Sequence, residues 1–170
     1  MTLLRLKNRL LALIFTAFPS LSVRWAAQLA TNDEPIPWIS PRKSLAEATV
    51  ALISTGGVHL TSDPPFAMND PEGDPSLRRI PLPANRETLT ITHDYYDHRD
   101  AEKDLNLVLP IDRLQELDER GIIGSLHPTV YSLMGHIDGR HLRTLREVTA
   151  RQIARELLEA RVDYALLVPA

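Results

Sequence analysis

The run Ala48-Thr49-Val50-Ala51-Leu52-Ile53 places the strongest limit on the fold. It is apolar, partly β-branched and lacks polar alternation, so it reads as a strand buried on both faces. Such strands belong to parallel sheets covered by helices. Two helices are predicted to supply the cover. Ile111 to Arg120 has Asp112 in its first turn, Leu114 and Leu117 inward and Gly121 as its stop. Leu142 to Arg161 carries Leu145, Val148, Ile153 and Leu157 as an inner stripe. Thr88 to Thr92 alternates and reads as a second strand, and Val162 to Val168 as a third. The predicted class is α/β: an incomplete Rossmann-like or flavodoxin-like parallel sheet with flanking helices and an N-terminal helical arm.

A chain of 170 residues corresponds to about one domain. Residues 1–40 read as a helical arm with a Pro-rich linker, and 41–170 as the α/β domain. In the arm, Leu3, Leu6, Leu10, Leu13 and Ala17 recur at helical spacing, which predicts an amphipathic helix docked through its leucines. Arg5, Lys7 and Arg9 ahead of the apolar Leu10 to Phe18 also fit a secretory signal or a surface anchor. That run is shorter than the about 20 residues needed to span a bilayer. The docking-helix reading places the protein in the cytoplasm, with no membrane partner. Three prolines between Thr31 and Pro41 favour extended backbone, and Trp25 and Trp38 are expected to pack the arm onto the body.

With 19 basic and 22 acidic side chains the chain has no global basic field, which argues against a nucleic-acid partner. Cysteine is absent, which excludes a disulfide framework, a thiolate metal site and a cysteine nucleophile within these residues. Lysine occurs only at Lys7, Lys43 and Lys103, none in an evident apolar setting, which disfavours amine catalysis.

Two segments carry candidate chemistry. The first strand runs into Ser54-Thr55-Gly56-Gly57-Val58-His59. Loops at the carboxyl ends of parallel strands are where α/β sheets bind ligands. Thr55, Gly56, Gly57 and His59 are therefore the substrate-binding candidates, although a Gly-Gly pair equally suits a turn needing positive φ. The second is His93-Asp94-Tyr95-Tyr96-Asp97-His98, whose imidazoles and carboxylates suit proton transfer. His93 and His98 are the transfer candidates, with Asp94 and Asp97 orienting them. The alternative is a metal-dependent hydrolase using His93, Asp97 and His98. Both loops are expected on the sheet edge that holds Ala170, walling one cleft. Asn69 to Pro75 fails calcium-loop spacing, since Pro71 occupies a ligand position, and reads as a rigid acidic turn with no metal ligand assigned. His59, His127, His136 and His141 taken singly read as structural.

Val50 to Leu60 with Asp63-Pro64-Pro65-Phe66, Asn69 to Pro75, Thr92 to His98, and Leu107 to Leu114 continuing to Gly121-Ile122-Ile123-Gly124 together resemble the glycine/sarcosine/betaine/D-proline reductase selenoprotein B family. The resemblance runs in order from about Ser44 to Ala170. It implies an oxidoreductase that reductively cleaves a C–N bond in an amino acid or an N-methylated derivative. It further implies a selenocysteine or cysteine centre, partner reductase subunits, a partner's pyruvoyl group for amine substrates, a thiol reductant and a small amino-acid-like substrate. The family's redox residue follows a strand like Leu166-Leu167-Val168-Pro169-Ala170, where this sequence stops. The expectation is a truncated reductase-like domain, inert by itself, ending at a UGA codon meant for selenocysteine. A non-catalytic binding subunit is the remaining alternative, and the composition admits an oligomer.

Overall fold

The computed structural model describes residues 3–21, 23–24 and 39–170. In chain order the strands are β1 (Thr49–Ser54), β2 (Val58–Leu60), β3 (Arg78–Pro81), β4 (Leu89–Ile91), β5 (Ser125–Leu126), β6 (Thr129–Ser132) and β7 (Tyr164–Val168). The helices are α1 (Leu3–Ala17), α2 (Arg99–Lys103), α3 (Ile111–Glu119), α4 (His141–Thr144) and α5 (Ala150–Glu159), with a π-helical turn, Leu145–Thr149, joining the last two.

β1 is the axis of the sheet. β7 lies parallel to it from Val50 to Ser54. Its other side is shared: β5 pairs with its start and β6 with its end, both parallel. His127-Pro128 interrupts what is otherwise one strand, and the Pro128 carbonyl accepts from Leu82 N–H at 2.8 Å. β3 closes that side antiparallel to β6. The protein thus has an α/β fold with a mostly parallel sheet flanked by helices.

Both faces of β1 are covered, as an apolar run without alternation requires. Leu52 is fully buried with Ile80, Leu109, Ile111, Leu114 and Val130, so α3 seals that face. Ile53 packs toward Tyr131, Leu133 and Ile153, so α5 seals the other.

Four sequence expectations are corrected. The Thr88–Thr92 strand does not join the parallel sheet: β4 pairs antiparallel with β2, Val58 opposite Ile91 and Leu60 opposite Leu89. Gly57 causes this. At φ +69° it turns the chain out of the sheet, and a Cβ there would lie 2.6 Å from the Thr92 carbonyl oxygen. In the C-terminal helix, Val148 is 57% exposed, whereas Thr149 is buried. A π-helical turn holds an extra residue, so the inward position after Leu145 moves one place on. Thr149 fits there because its hydroxyl donates to the Pro75 carbonyl at 2.7 Å. The third correction takes two stretches together: Thr61 to Pro83 and the residues around His127-Pro128 read as irregular from the sequence, but the first contains β3 and the second lies between β5 and β6.

The fourth correction concerns α1. It is helical as expected but docks through its other face. Asn8 and Ala12 are buried and Arg5 and Phe15 half-buried, while Leu3 is 85% and Leu10 58% exposed. Among the described residues no helix is long and apolar enough to cross a membrane. The linker and both tryptophans lie outside the described residues.

Candidate functional site

The carboxyl ends of β1, β6 and β7 meet at one edge. Thr55 N–H donates to the Val168 carbonyl and Gly57 N–H to the Leu133 carbonyl, both at 3.0 Å. Ala170 N–H donates to the Thr55 hydroxyl at 3.1 Å. Over this edge lies the segment after β4, which delivers His93. A Cβ placed on Gly135 would lie 3.1 Å from the Thr55 and Ala170 carbonyl oxygens and 3.2 Å from His93 Nε2. Thr55, His93, Gly135 and Ala170 therefore converge, His93 arriving from the β2–β4 hairpin rather than from the parallel sheet.

A cavity of about 600 Å³ opens here. Its floor is His93, Gly135 and Ala170, one wall is Tyr95 and His136, and its roof is α1, through Lys7, Asn8, Leu11, Ala12 and Phe15. A second cavity, of about 380 Å³, lies between β4 and α2. There Arg86 pairs with Asp112 at 2.5 Å and Asn106 with Asp112 at 2.8 Å, and this cavity lies away from the sheet edge. The first cavity is the better candidate.

His93 is 3% exposed. Burial, reinforced by His98 and His136, pushes its imidazole down to about 4, against a smaller upward pull from Asp94. It is neutral at pH 7 and a weak base. Tyr95 N–H lies 3.1 Å from Nδ1 and Gly135 N–H 3.3 Å from Nε2. A neutral ring has one lone-pair nitrogen, so one of these contacts is not a hydrogen bond. Both ring nitrogens thus face a backbone N–H, and the tautomer follows whichever contact is made. His93 thus suits hydrogen bonding to a bound molecule better than proton abstraction.

The other residues of the cluster turn elsewhere. Asp94 is buried, and Arg5 and Arg9 of α1 both grip it, Arg9 Nε at 2.9 Å. Burial opposes its ionisation, but the two arginine hydrogen bonds outweigh that and hold its carboxyl below the usual range. Asp97 is bound by Arg99, whose hydrogen bond lowers it to about 2. His98 Nδ1 lies 2.8 Å from Glu102. Neither carboxylate orients an imidazole of the cluster. His93, Asp97 and His98 likewise do not converge as the three ligands of a hydrolytic metal site, because each faces a different partner.

His59 is buried in the β2–β4 hairpin, its ring bonded to the Leu60 carbonyl at 2.7 Å and the Thr92 hydroxyl at 2.8 Å. It does not reach the cavity. Gly56 is packed against Val108, where a Cβ would lie 2.9 Å from that side chain, and Gly57 serves the turn. Tyr96 donates to the Gly56 carbonyl at 3.0 Å, and burial pushes its hydroxyl up to about 12. The Asn69–Pro75 segment is a rigid acidic turn: Asp70 Oδ1 accepts from Glu72 N–H at 3.0 Å, and Arg140 pairs with both carboxylates. Asp70, Glu72 and His141 lie close enough to share a cation, but Arg140 already pairs with both acids.

Sequence reasoning missed Lys7, Asn8, Tyr95 and His136. Asn8 was the available signal: a polar residue among leucines, on the helical face shared by Arg5 and Ala12.

The fold has no match among solved structures. Among curated proteins, the D-proline reductase subunit gamma of Acetoanaerobium sticklandii is 37% identical over 133 residues, covering 78% of this chain and 53% of that protein. The glycine reductase complex component B subunit gamma of Symbiobacterium thermophilum is 31% identical over 146 residues, covering 81% of this chain and 33% of that protein. The betaine reductase complex component B subunit beta of Peptoclostridium acidaminophilum is 29% identical over 105 residues, covering 56% of this chain and 22% of that protein. The chain therefore spans about half the length of the first relative and a third or less of the others. Residues 26–170 match the model of glycine/sarcosine/betaine reductase selenoprotein B, and with β1, its Gly-Gly turn and the His93 loop all inside that match, the chain belongs to this family.

Proposed function

We propose that this chain is a substrate-binding subunit of a reductase complex that cleaves the C–N bond of a small amino acid or N-methylated amino acid. The observation that carries the reading is the cavity at the carboxyl edge of a parallel sheet, within a chain of this family. Reductive cleavage replaces C–N by C–H and frees the amine, consuming two electrons and two protons. Two thiols, or a thiol and a selenol, supply both by forming a bond between their chalcogens. These 170 residues hold no cysteine, so the selenocysteine or cysteine comes from outside them, and the chain by itself binds without reducing. Partner subunits, one with a pyruvoyl group for amine substrates, belong to the same proposal. So does a cytoplasmic setting, since thiol-driven reduction needs a reducing compartment.

The neutral His93 lies on the cavity floor beside Gly135, where its ring meets the bound molecule. The test uses the chain isolated from its native cells together with its accompanying subunits. Dithiothreitol is added with glycine, sarcosine, betaine or D-proline in turn, and amine release is followed. Release from at least one, abolished when this chain is omitted, is the expected result. Absence of both release and binding for all four overturns the reading.

A further inference from the structure

We propose that α1 docks the protein on an anionic lipid surface, with its outward leucine stripe as the apolar contact and Lys7 and Arg9 as the flanking cations. The helix lies outside the family match, which begins at residue 26, so the inference stands apart from the substrate reading above.

The sequence argument against a membrane needs the leucines to face inward, and they face outward. Leu3, Leu6, Leu10 and Leu13 are each at least 46% exposed, and with Ile14 and Ala17 they form one line along the helix. Single exposed leucines are ordinary, but a contiguous stripe marks a binding surface. At about 100° per residue, Lys7 falls on one side of that line and Arg9 on the other. Lys7 is exposed and pairs with no carboxylate among the described residues. Arg9 gives its Nε to Asp94 but is still half in water.

Charge decides what covers the stripe. Residues 1–32 hold Arg5, Lys7, Arg9 and Arg24 and no acidic side chain, whereas the other 15 of the 19 basic residues and all 22 acidic ones follow. The arm thus carries +4 and the remainder −7. Two copies of α1 laid leucine to leucine would set cations beside cations, with no acid in either helix to offset them. An anionic lipid surface offsets them: the stems of Lys7 and Arg9 lie along the leucines and their charged ends reach the headgroups. The same surface repels the acidic body, which leaves α1 as the contact. With fifteen residues against the about 20 needed to span, the helix lies in the plane of the surface. Asp94 holds its inner face meanwhile, so both faces are used at once. The cytoplasmic leaflet presents such a negative surface, in keeping with the setting proposed above.

Co-sedimentation of the full chain with vesicles tests this. Vesicles of two parts phosphatidylcholine to one part phosphatidylserine should carry the chain down, and phosphatidylcholine alone should bind it roughly tenfold less tightly or worse. Added salt should erase that difference. Leu6→Ser combined with Leu10→Ser should weaken binding by roughly a hundredfold, since two leucines no longer leave water. Lys7→Gln should weaken it roughly fivefold, on the anionic vesicles only. All three side chains are exposed, so the urea midpoint of each variant should match that of the parent chain. Equal binding to both vesicles, no binding to either, or parent-like sedimentation of the double variant overturns the inference. So does self-association in vesicle-free buffer that the double variant abolishes, because a second copy then covers the stripe.

Discussion

The sheet core and the α1 seam are held together by opposite means. Around Leu52 the contacts are apolar and continuous from Ile80 and Val130 to Ile111 and Leu114. Beneath α1 the tie is one buried carboxylate, Asp94, gripped by two arginines that remain 30% and 49% exposed, with Asn8 and Ala12 as the buried contacts. Apolar burial is non-directional and scales with area, whereas an ion pair depends on both partners being present and on what water screens. The core should therefore yield to loss of volume, and the seam to loss of charge.

The largest effect should come from Leu52→Ala. It removes a fully buried side chain from the central strand, and urea denaturation should show a loss of about 2–5 kcal/mol. A loss below about 1 kcal/mol would mean that the core is not where the stability lies.

Next comes acid sensitivity at His93. Its folded value of about 4 lies below the ordinary value of about 6.5. Between those limits the unfolded chain binds a proton that the folded chain refuses. Stability is complete above about pH 6.5 and declines as the pH falls toward 4, by on the order of 3 kcal/mol. Urea titrations across that window should show the slope in the parent chain and a flatter profile in His93→Gln. Equal slopes would place the proton-binding difference elsewhere.

Asp94→Asn should act on the seam alone. The expected cost is about 1–3 kcal/mol of helix docking, below that of a fully buried pair because the arginines remain partly in water. Hydrogen exchange should accelerate across Leu3 to Ala17 and not in β1. Lowering the pH should reproduce it: Asp94 is depressed, so its contribution is present above about pH 3.9 and is lost as the pH falls through the folded value. As the contrast, Leu10→Ala on the outward face should change stability by no more than about 0.5 kcal/mol. A larger loss in Leu10→Ala than in Asp94→Asn would mean that the helix docks by its leucines after all.

The same division explains what could be read from the sequence. Leu52, Leu114 and Ile153 fall in patterns whose period is local, so β1, α3 and the C-terminal helix are legible. β5 has two residues and β6 four, both next to His127-Pro128, and neither carries enough period to register. The meeting of Thr55 and Ala170 was legible because the ends of the parallel neighbours β1 and β7 share an edge. His93 reaches them from the β2–β4 hairpin, outside that sheet, which no local pattern announces. Nor were the partners within His93 to His98 legible. Asp94 is separated from Arg5 by 89 positions, and nothing in the spacing of either favours that pair over Asp94 with His98. The leucine stripe of α1 misleads for the same reason: periodicity names a face, but a distant charge decides which face turns inward.

The outward leucines of α1 have a consequence for how the protein answers its surroundings. Contacts made through apolar surface are driven by solvent entropy near room temperature and weaken on cooling. The Asp94 grip on the opposite face is electrostatic, and its partly exposed arginines make it answer to ionic strength. One fifteen-residue helix thus presents a cold-sensitive face to the outside and a salt-sensitive face to the body. Chilling a preparation and desalting it are therefore different interventions: the first lowers the cost of keeping those leucines in water, and the second tightens what α1 holds within.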